Sequence, residues 1–185
     1  MLSIRILASI GALVLLLGPR TLGAEDRRYD TREQRGDLSG KDYKFLLQVA
    51  RSASMEVEMG ELARHKGTHP AVRRFGERMV ADHGQANEEL RRIAARRQAM
   101  LPARFTHGQN SEMQHFEQAS GVDFDRKYAA EMVKHHRDDL KDFEKAARDL
   151  NDPDLRDFAR RTLPLLQDHL RMAQDMQAAV REALR

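Results

Sequence analysis

Hydrophobic residues recur with the period of an α-helix in four long segments of this chain, and one polar residue that can bind a metal stands on each apolar face. These residues are Glu56, His83, His136 and His169. Apolar faces pack inward, so a bundle of the four helices brings one carboxylate and three imidazoles into its core. Burying such groups costs free energy unless hydrogen bonds or a metal ion satisfy them. The pattern therefore predicts an all-α four-helix bundle with a polar centre.

Glycine and proline residues divide the chain between these helices. Gly67 is placed to end the first helix, Pro70 to begin the second, and Pro153 to begin the fourth. We predict helices over 42–66, 70–98, 123–150 and 153–185. No strand-like alternation occurs in these segments, so the bundle is expected to span 42–185 as one domain.

A long connector over 99–122 joins the second and third helices, with room for a short helix over 111–118 that Ser111 would cap. At ~1.5 Å per residue, the four inward polar residues lie roughly 16 to 27 Å from their hairpin turns. They are expected to form one layer only if both turns lie at the same end of the bundle. The connector is long enough for the crossing at ~3.3 Å per residue. One long crossover is typical of a ferritin-like bundle.

Residues 1–24 have the pattern of a secretory signal peptide. Arg5 makes the start positive, 6–17 is an apolar run, and 21–24 offers a cleavage site. The run is shorter than the ~20 residues that span a bilayer, so we expect no stable membrane span after cleavage, with retention as an anchor as the alternative. The expected location is the bacterial periplasm or the medium. Residues 25–41 are polar, without an apolar period, and are predicted to form a flexible arm.

The composition excludes several classes of function. The whole chain has a net charge of +3, but the two basic residues of 1–24 have no acidic counterpart, so the remainder holds 30 basic and 29 acidic residues. This balance argues against a nucleic-acid-binding surface. The chain has no cysteine, which excludes disulfides and lipid attachment at cysteine. No organic cofactor is predicted, and protein partners and the oligomeric state stay open.

Several separated motifs resemble those of a known family. They are Met55-Glu56-Val57-Glu58-Met59-Gly60-Glu61-Leu62-Ala63, Val72-x-x-Phe75 before Met79-Val80-x-Asp82-His83, Phe124-Asp125-x-x-Tyr128, Met132-Val133-x-x-His136, and Leu163-Pro164-x-Leu166-x-x-His169. On these motifs, 42–178 resembles the exported bacterial proteins of domain-of-unknown-function family 4142, in the ferritin-like superfamily. The resemblance implies a ferritin-like four-helix bundle and no established activity.

The sequence departs from di-iron carboxylate bundles at three positions. Such bundles place Glu-x-x-His on two helices and a Glu on each of the others. Here Val80, Val133 and Leu166 stand three residues before the inward histidines. The carboxylates are too few for a bridged di-iron centre, so ferroxidase or oxygenase chemistry of that type is not predicted. Three histidines and one carboxylate suit a single ion of Zn, Cu, Fe or Mn.

The metal ligands predicted on this basis are Glu56, His83, His136 and His169. Asp139 lies one turn after His136 on the same face, where it can be a fifth ligand or can accept a hydrogen bond from a ring N–H. Asp82 and Asp168 each precede an inward histidine and are predicted to point outward.

The first functional hypothesis is an exported bundle that binds one transition-metal ion, with a metal-binding or stress-related role. The alternative is an envelope interaction module without metal, whose polar core residues hydrogen-bond to one another. A second alternative is a metal-dependent enzyme. If Glu56 is a ligand, a tetrahedral ion is fully coordinated, whereas Glu56 acting as a base would leave a position for water.

Overall fold

The computed structural model describes residues 32–103 and 105–185, and the regular structure in these ranges is helical. The helices are α1 Arg32–Arg35, α2 Gly40–Lys66, α3 Pro70–Arg96, α4 His107–Gln118, α5 Gly121–Asp149 and α6 Pro153–Glu182. The prediction of an all-α fold is confirmed. The predicted signal peptide over 1–24 lies outside the described residues, as does 25–31.

Side-chain caps fix where the helices begin. The Ser39 hydroxyl accepts a hydrogen bond from the backbone N–H of Asp42 at the start of α2, and Asp152 accepts from Leu155 at the start of α6. In the connector, Thr106 caps α4, so that helix begins four residues before the predicted 111–118. The Ser111 hydroxyl donates instead to the carbonyl of His107 within the helix.

The N-terminal segment packs against the end of α3, where the sequence predicted a flexible arm. The Asp37 N–H donates to the Arg97 carbonyl at 2.9 Å, and the Met100 N–H donates to the Gln34 carbonyl at 2.9 Å. Gly36 allows this approach because its φ is 55° and a Cβ there would lie 2.0 Å from the Arg97 oxygen. Residues 32–39 are therefore part of the folded domain.

Two helical hairpins, α2–α3 and α5–α6, form the body of the fold. Asp125 at the start of α5 accepts from the backbone N–H groups of Thr68 and His69 in the α2–α3 turn, at 3.0 and 2.7 Å. At the other end, the N–H of Asn151 in the α5–α6 turn donates to Asp42 at the start of α2, at 2.8 Å. The two turns therefore lie at opposite ends, and the expectation of a shared end is wrong. The connector with α4 runs the length of the bundle.

The polar residues still share a level because each lies near the middle of its helix. Glu56, His83, His136 and His169 stand between 13 and 16 residues after the first residue of their helices, which contain 27 to 30 residues. A residue at mid-length keeps its level when the direction of its hairpin is reversed. The layer therefore did not depend on the predicted orientation.

The polar layer divides the hydrophobic core into two clusters. Leu46, Leu90 and Phe158 belong to the cluster toward the α5–α6 turn. Met79 and Met132 belong to the cluster toward the α2–α3 turn. None of the helices in the described ranges has both the length and the apolar character that a bilayer crossing requires.

The α2–α3 hairpin is closely packed in the second cluster, the one toward the α2–α3 turn. A Cβ at Gly60 would lie 2.8 Å from the Gly76 carbonyl oxygen, and a Cβ at Gly76 would lie 2.6 Å from the Gly60 oxygen. Glycine at both positions lets the two backbones approach, which holds α2 against α3 below Glu56 and His83.

Candidate metal centre

Three imidazoles from three helices meet in the polar layer. His83 of α3, His136 of α5 and His169 of α6 are buried, and one ring nitrogen from each lies within 4.8 Å of the other two. The ring centroids are 5.8 Å apart for His83 and His136, 5.2 Å for His83 and His169, and 5.3 Å for His136 and His169. The structure thus brings together the three histidines that the sequence placed on inward faces.

Two of these rings are oriented by an acceptor on one nitrogen. The Nδ1 of His136 lies 2.8 Å from the carbonyl oxygen of Met132, one turn earlier on α5. The Nε2 of His169 lies 2.7 Å from Oδ2 of Asp82 on α3. Because both acceptors are oxygens, these nitrogens carry the ring hydrogen and donate it. Such contacts set the tautomer of a histidine and leave its other nitrogen with a lone pair.

One nitrogen of each of the three rings has no hydrogen-bond partner among the described residues. They are Nε2 of His83, Nε2 of His136 and Nδ1 of His169, and each is buried. A buried nitrogen lone pair without a donor loses its hydration and gains nothing in return. Imidazole nitrogens with a free lone pair are the kind of donor that binds a transition-metal ion.

Burial keeps the imidazoles uncharged. It lowers the pKa of His83 well below the ordinary value, and the neighbouring His136 and His169 lower it further. Burial lowers the pKa of His136 to about 3 and also lowers that of His169. The rings are therefore neutral near pH 7, which is the state in which histidine binds a metal.

Glu56 lies beside two of the histidines but does not belong to the group of ligand atoms that lie within 4.8 Å of one another. Its Oε2 is 3.1 Å from Nδ1 of His83, and its Oε1 is 3.9 Å from Nε2 of His136. Oε1 is buried and has no hydrogen-bond partner in the part of the chain that the structure describes. Burial raises the pKa of Glu56 well above its ordinary value, and Asp139 raises it further through its charge and a hydrogen bond. The carboxyl group is therefore held in its protonated form over a wider pH range than in water.

Asp139 is placed behind Glu56. Burial raises its pKa to about 6, and its carboxyl group interacts with the side chains of Glu56 and Ser52. Within the described residues, no hydrogen bond joins Asp139 to a ring nitrogen of the three histidines, and it is not in the group of mutually close ligand atoms. The structure therefore pairs Asp139 with the predicted ligand Glu56.

Asp82 is the residue of this centre that sequence analysis misplaced. It was predicted to point outward, but its side chain is only 14% exposed and contacts His169 as well as Arg78. Asp168, the matching residue on α6, is 57% exposed and pairs with Arg171, as expected of an outward residue. The repeated Asp-His pair, Asp82-His83 and Asp168-His169, was the sequence signal for this contact, but it does not show that α3 and α6 are neighbours.

A buried tyrosine next to the centre was also missed. Tyr128 lies two turns before His136 on α5, and its hydroxyl is buried without a hydrogen-bond partner in 32–103 or 105–185. The ring of Phe75 contacts both, with centroids 6.1 Å from Tyr128 and 5.9 Å from His136. The charge of Glu56 contributes, after burial, to a raised pKa of Tyr128.

Comparison with known proteins gives a family. The family described as "Domain of unknown function (DUF4142)" matches residues 29–176. The chain belongs to this family. Its match contains the three histidines, Glu56 and Asp82, so the centre is part of the DUF4142 domain rather than an addition to it. No curated protein and no solved structure matches the chain.

Proposed function

We propose that this DUF4142 protein binds one transition-metal ion through His83, His136 and His169. The observation that carries the proposal is the set of three buried ring nitrogens without hydrogen-bond partners. An unsatisfied buried polar group costs about 1–3 kcal/mol, and coordination would remove this cost at three atoms. Three imidazole nitrogens suit Zn, Cu, Fe or Mn in the divalent state.

Glu56 is proposed as the fourth ligand. Its Oε1 already lies 3.9 Å from Nε2 of His136 and accepts no hydrogen bond. A positive ion at the centre would favour the carboxylate over the protonated form and release its proton. The four ligands would complete a tetrahedral site, which suits metal storage, metal buffering or protection against metal stress rather than turnover.

A metal-dependent enzyme is the second candidate. The observation that favours it is that Glu56 is not part of the close group formed by the ring nitrogens of the three histidines. If Glu56 stays beside His83, the ion keeps an open position for water, and the carboxylate is placed to accept a proton from it. The two candidates differ in the number of protein ligands.

The fold and location form part of the proposal. The two hairpins with turns at opposite ends and a long crossover support a ferritin-like arrangement. The sequence pattern of 1–24 supports export, so the metal would be bound outside the bacterial cytoplasm.

Metal analysis of the untagged chain without 1–24 tests the proposal. The protein is loaded with Zn, Cu, Fe or Mn, desalted, and its metal content measured by mass spectrometry. The substitution His169→Ala is expected to remove one ion per chain, whereas His65→Ala, which changes an exposed histidine on α2, should remove none. The proposal is wrong if the metal content of His169→Ala is lower than that of the wild type by less than about 0.1 ion per chain, because a native site binds close to one ion per chain.

Thermal melting distinguishes this function from a metal-free interaction module. An ion that binds only the folded state stabilises it by about 2.7 kcal/mol at 100 times Kd. The wild-type chain should therefore melt at a higher temperature with metal, and this difference should be smaller in His83→Ala. Equal melting with and without metal in the wild type would favour the interaction module.

A further inference from the structure

A second group of ligand-type side chains lies away from the bundle centre. It consists of Glu112 on the crossover helix α4 and of Glu131 and His135 on α5, with one ligand atom of each within 4.8 Å of the other two. The side chains are 29%, 26% and 17% exposed, respectively. The group is therefore partly shielded from water and still open to a hydrated ion.

The local structure explains why these residues meet. Glu131 and His135 are four residues apart, which places them on one face of α5. Met113 and Phe116 are buried and pack α4 into the second core cluster. Glu112, which precedes Met113, is thereby brought to the face of α5 that carries the other two.

His135 is in close contact with both carboxylates. Nε2 of His135 lies 2.9 Å from Oε1 of Glu112 and 3.6 Å from Oε1 of Glu131. Oε1 of Glu112 is buried. Two ligands of one ion, with bonds of about 2.0–2.2 Å, lie roughly 3 Å apart, and the 2.9 Å between His135 and Glu112 suits such a pair.

The charges around the group favour a cation. Two carboxylates face one imidazole, and Lys134 on the same helix contacts Glu131. The Lys134 side chain is 67% exposed, so it can move into solvent at little cost when another cation arrives. One lysine balances one of the two carboxylates and a protonated His135 balances the other, so an incoming metal ion would take the place of that proton.

We propose that Glu112, Glu131 and His135 bind a divalent first-row transition-metal ion in an open site completed by water. Two carboxylates and one imidazole suit Zn²⁺ and Mn²⁺. The ion would join the crossover helix to α5 in addition to the ring contacts that Phe116 of α4 makes with Phe124 and Tyr128 of α5. This site differs from the histidine centre in its ligands and does not depend on it.

Binding stoichiometry with Zn²⁺ is the first test. In calorimetric titrations of the full chain, Glu112→Gln and His135→Gln are each expected to lose one ion per chain or to weaken that step at least about tenfold. Glu117→Gln, an exposed change on the same helix, is the matched control and should bind as the wild type does. His83→Gln should leave this step intact, so a failure of the central site is recognised separately.

Hydrogen exchange over 107–118 is the second test. Zn²⁺ should slow amide exchange in α4 of the wild type and of His83→Gln, but not of Glu112→Gln. If Glu112→Gln binds as many ions as the wild type, the three side chains form only an ion pair and the proposal is wrong. Unchanged exchange in α4 of the wild type would overturn it equally, because the ion would then not join α4 to α5.

Discussion

His169 and Asp82 are joined across two helices, with Nε2 of the histidine 2.7 Å from a carboxylate oxygen of the aspartate. The chain thereby uses α3 twice at the centre, since His83 follows Asp82 directly. Because Asp82 engages Nε2, the nitrogen of His169 that remains without a partner is Nδ1. A carboxylate in this position fixes the ring and makes it a stronger electron donor to a metal.

Asp82→Ala is therefore expected to weaken metal binding at the centre by about 10- to 100-fold. Asp168→Ala is the matched control, because Asp168 precedes His169 as Asp82 precedes His83 but is exposed. Affinities are measured for Zn²⁺ by competition with a chromophoric chelator. Equal affinities of the two variants would contradict the role assigned to Asp82.

The inward positions of the central residues were predictable because helical burial depends on local spacing. Glu56, His83, His136 and His169 are all buried, as their places on apolar faces indicated. Each helix contributes one of them, and a period of 3.6 residues suffices to find them. The sequence tied their common level to hairpin turns at one end of the bundle, a condition that was wrong, and the level holds because each residue lies near the middle of its helix.

The contacts between helices were not predictable in the same way. Asp82 lies at the edge of an apolar face, and its role depends on α6 being the neighbour of α3. Glu112 contributes to its group only because the connector carries α4 onto α5. The opposite placement of the two hairpin turns rests on Asp42 and Asp125, which bind backbone N–H groups far away in the sequence. None of these relationships has a periodic signal in a single sequence.

Asp139→Asn should change how stability depends on pH in the metal-free protein. The pKa of Asp139 rises from 3.8 to about 6, so the stability it contributes is present below 3.8 and is lost as the pH rises through 6. Asparagine cannot ionise. The melting temperature of the variant relative to wild type should therefore increase between about pH 4 and pH 7.

Asp138→Asn provides the control for this pH series. Asp138 is exposed, and hydrogen bonding to Lys141 lowers its pKa, so the shift has the opposite sign. Its melting temperature relative to wild type should not rise over the same range. A flat difference for Asp139→Asn would show that Asp139 is not buried in the way described.

Two tyrosines should respond in opposite directions to loss of the hydroxyl group. Tyr128→Phe removes a buried hydroxyl without a partner and is expected to raise the free energy of unfolding by about 1 kcal/mol. Tyr43→Phe removes a hydrogen bond to the Met100 carbonyl, 3.0 Å away, and should lower it by about 0.5–1.5 kcal/mol. Urea unfolding with a chelator present measures both. A loss of stability in Tyr128→Phe would mean that its hydroxyl has a partner.

Two glycines of α3 should also differ when replaced by alanine. Gly84→Ala meets no atom within 4 Å, so the better helix propensity of alanine should stabilise the protein by about 0.5–1 kcal/mol. Gly76→Ala would place a Cβ 2.6 Å from the Gly60 oxygen and 2.8 Å from Cβ of Ala63. The backbones of α2 and α3 must then move apart, at a cost of about 1–3 kcal/mol that exceeds the gain in propensity. Urea unfolding without metal should show the two changes with opposite signs, and a stabilised Gly76→Ala would mean that α2 and α3 are not in close contact at this point.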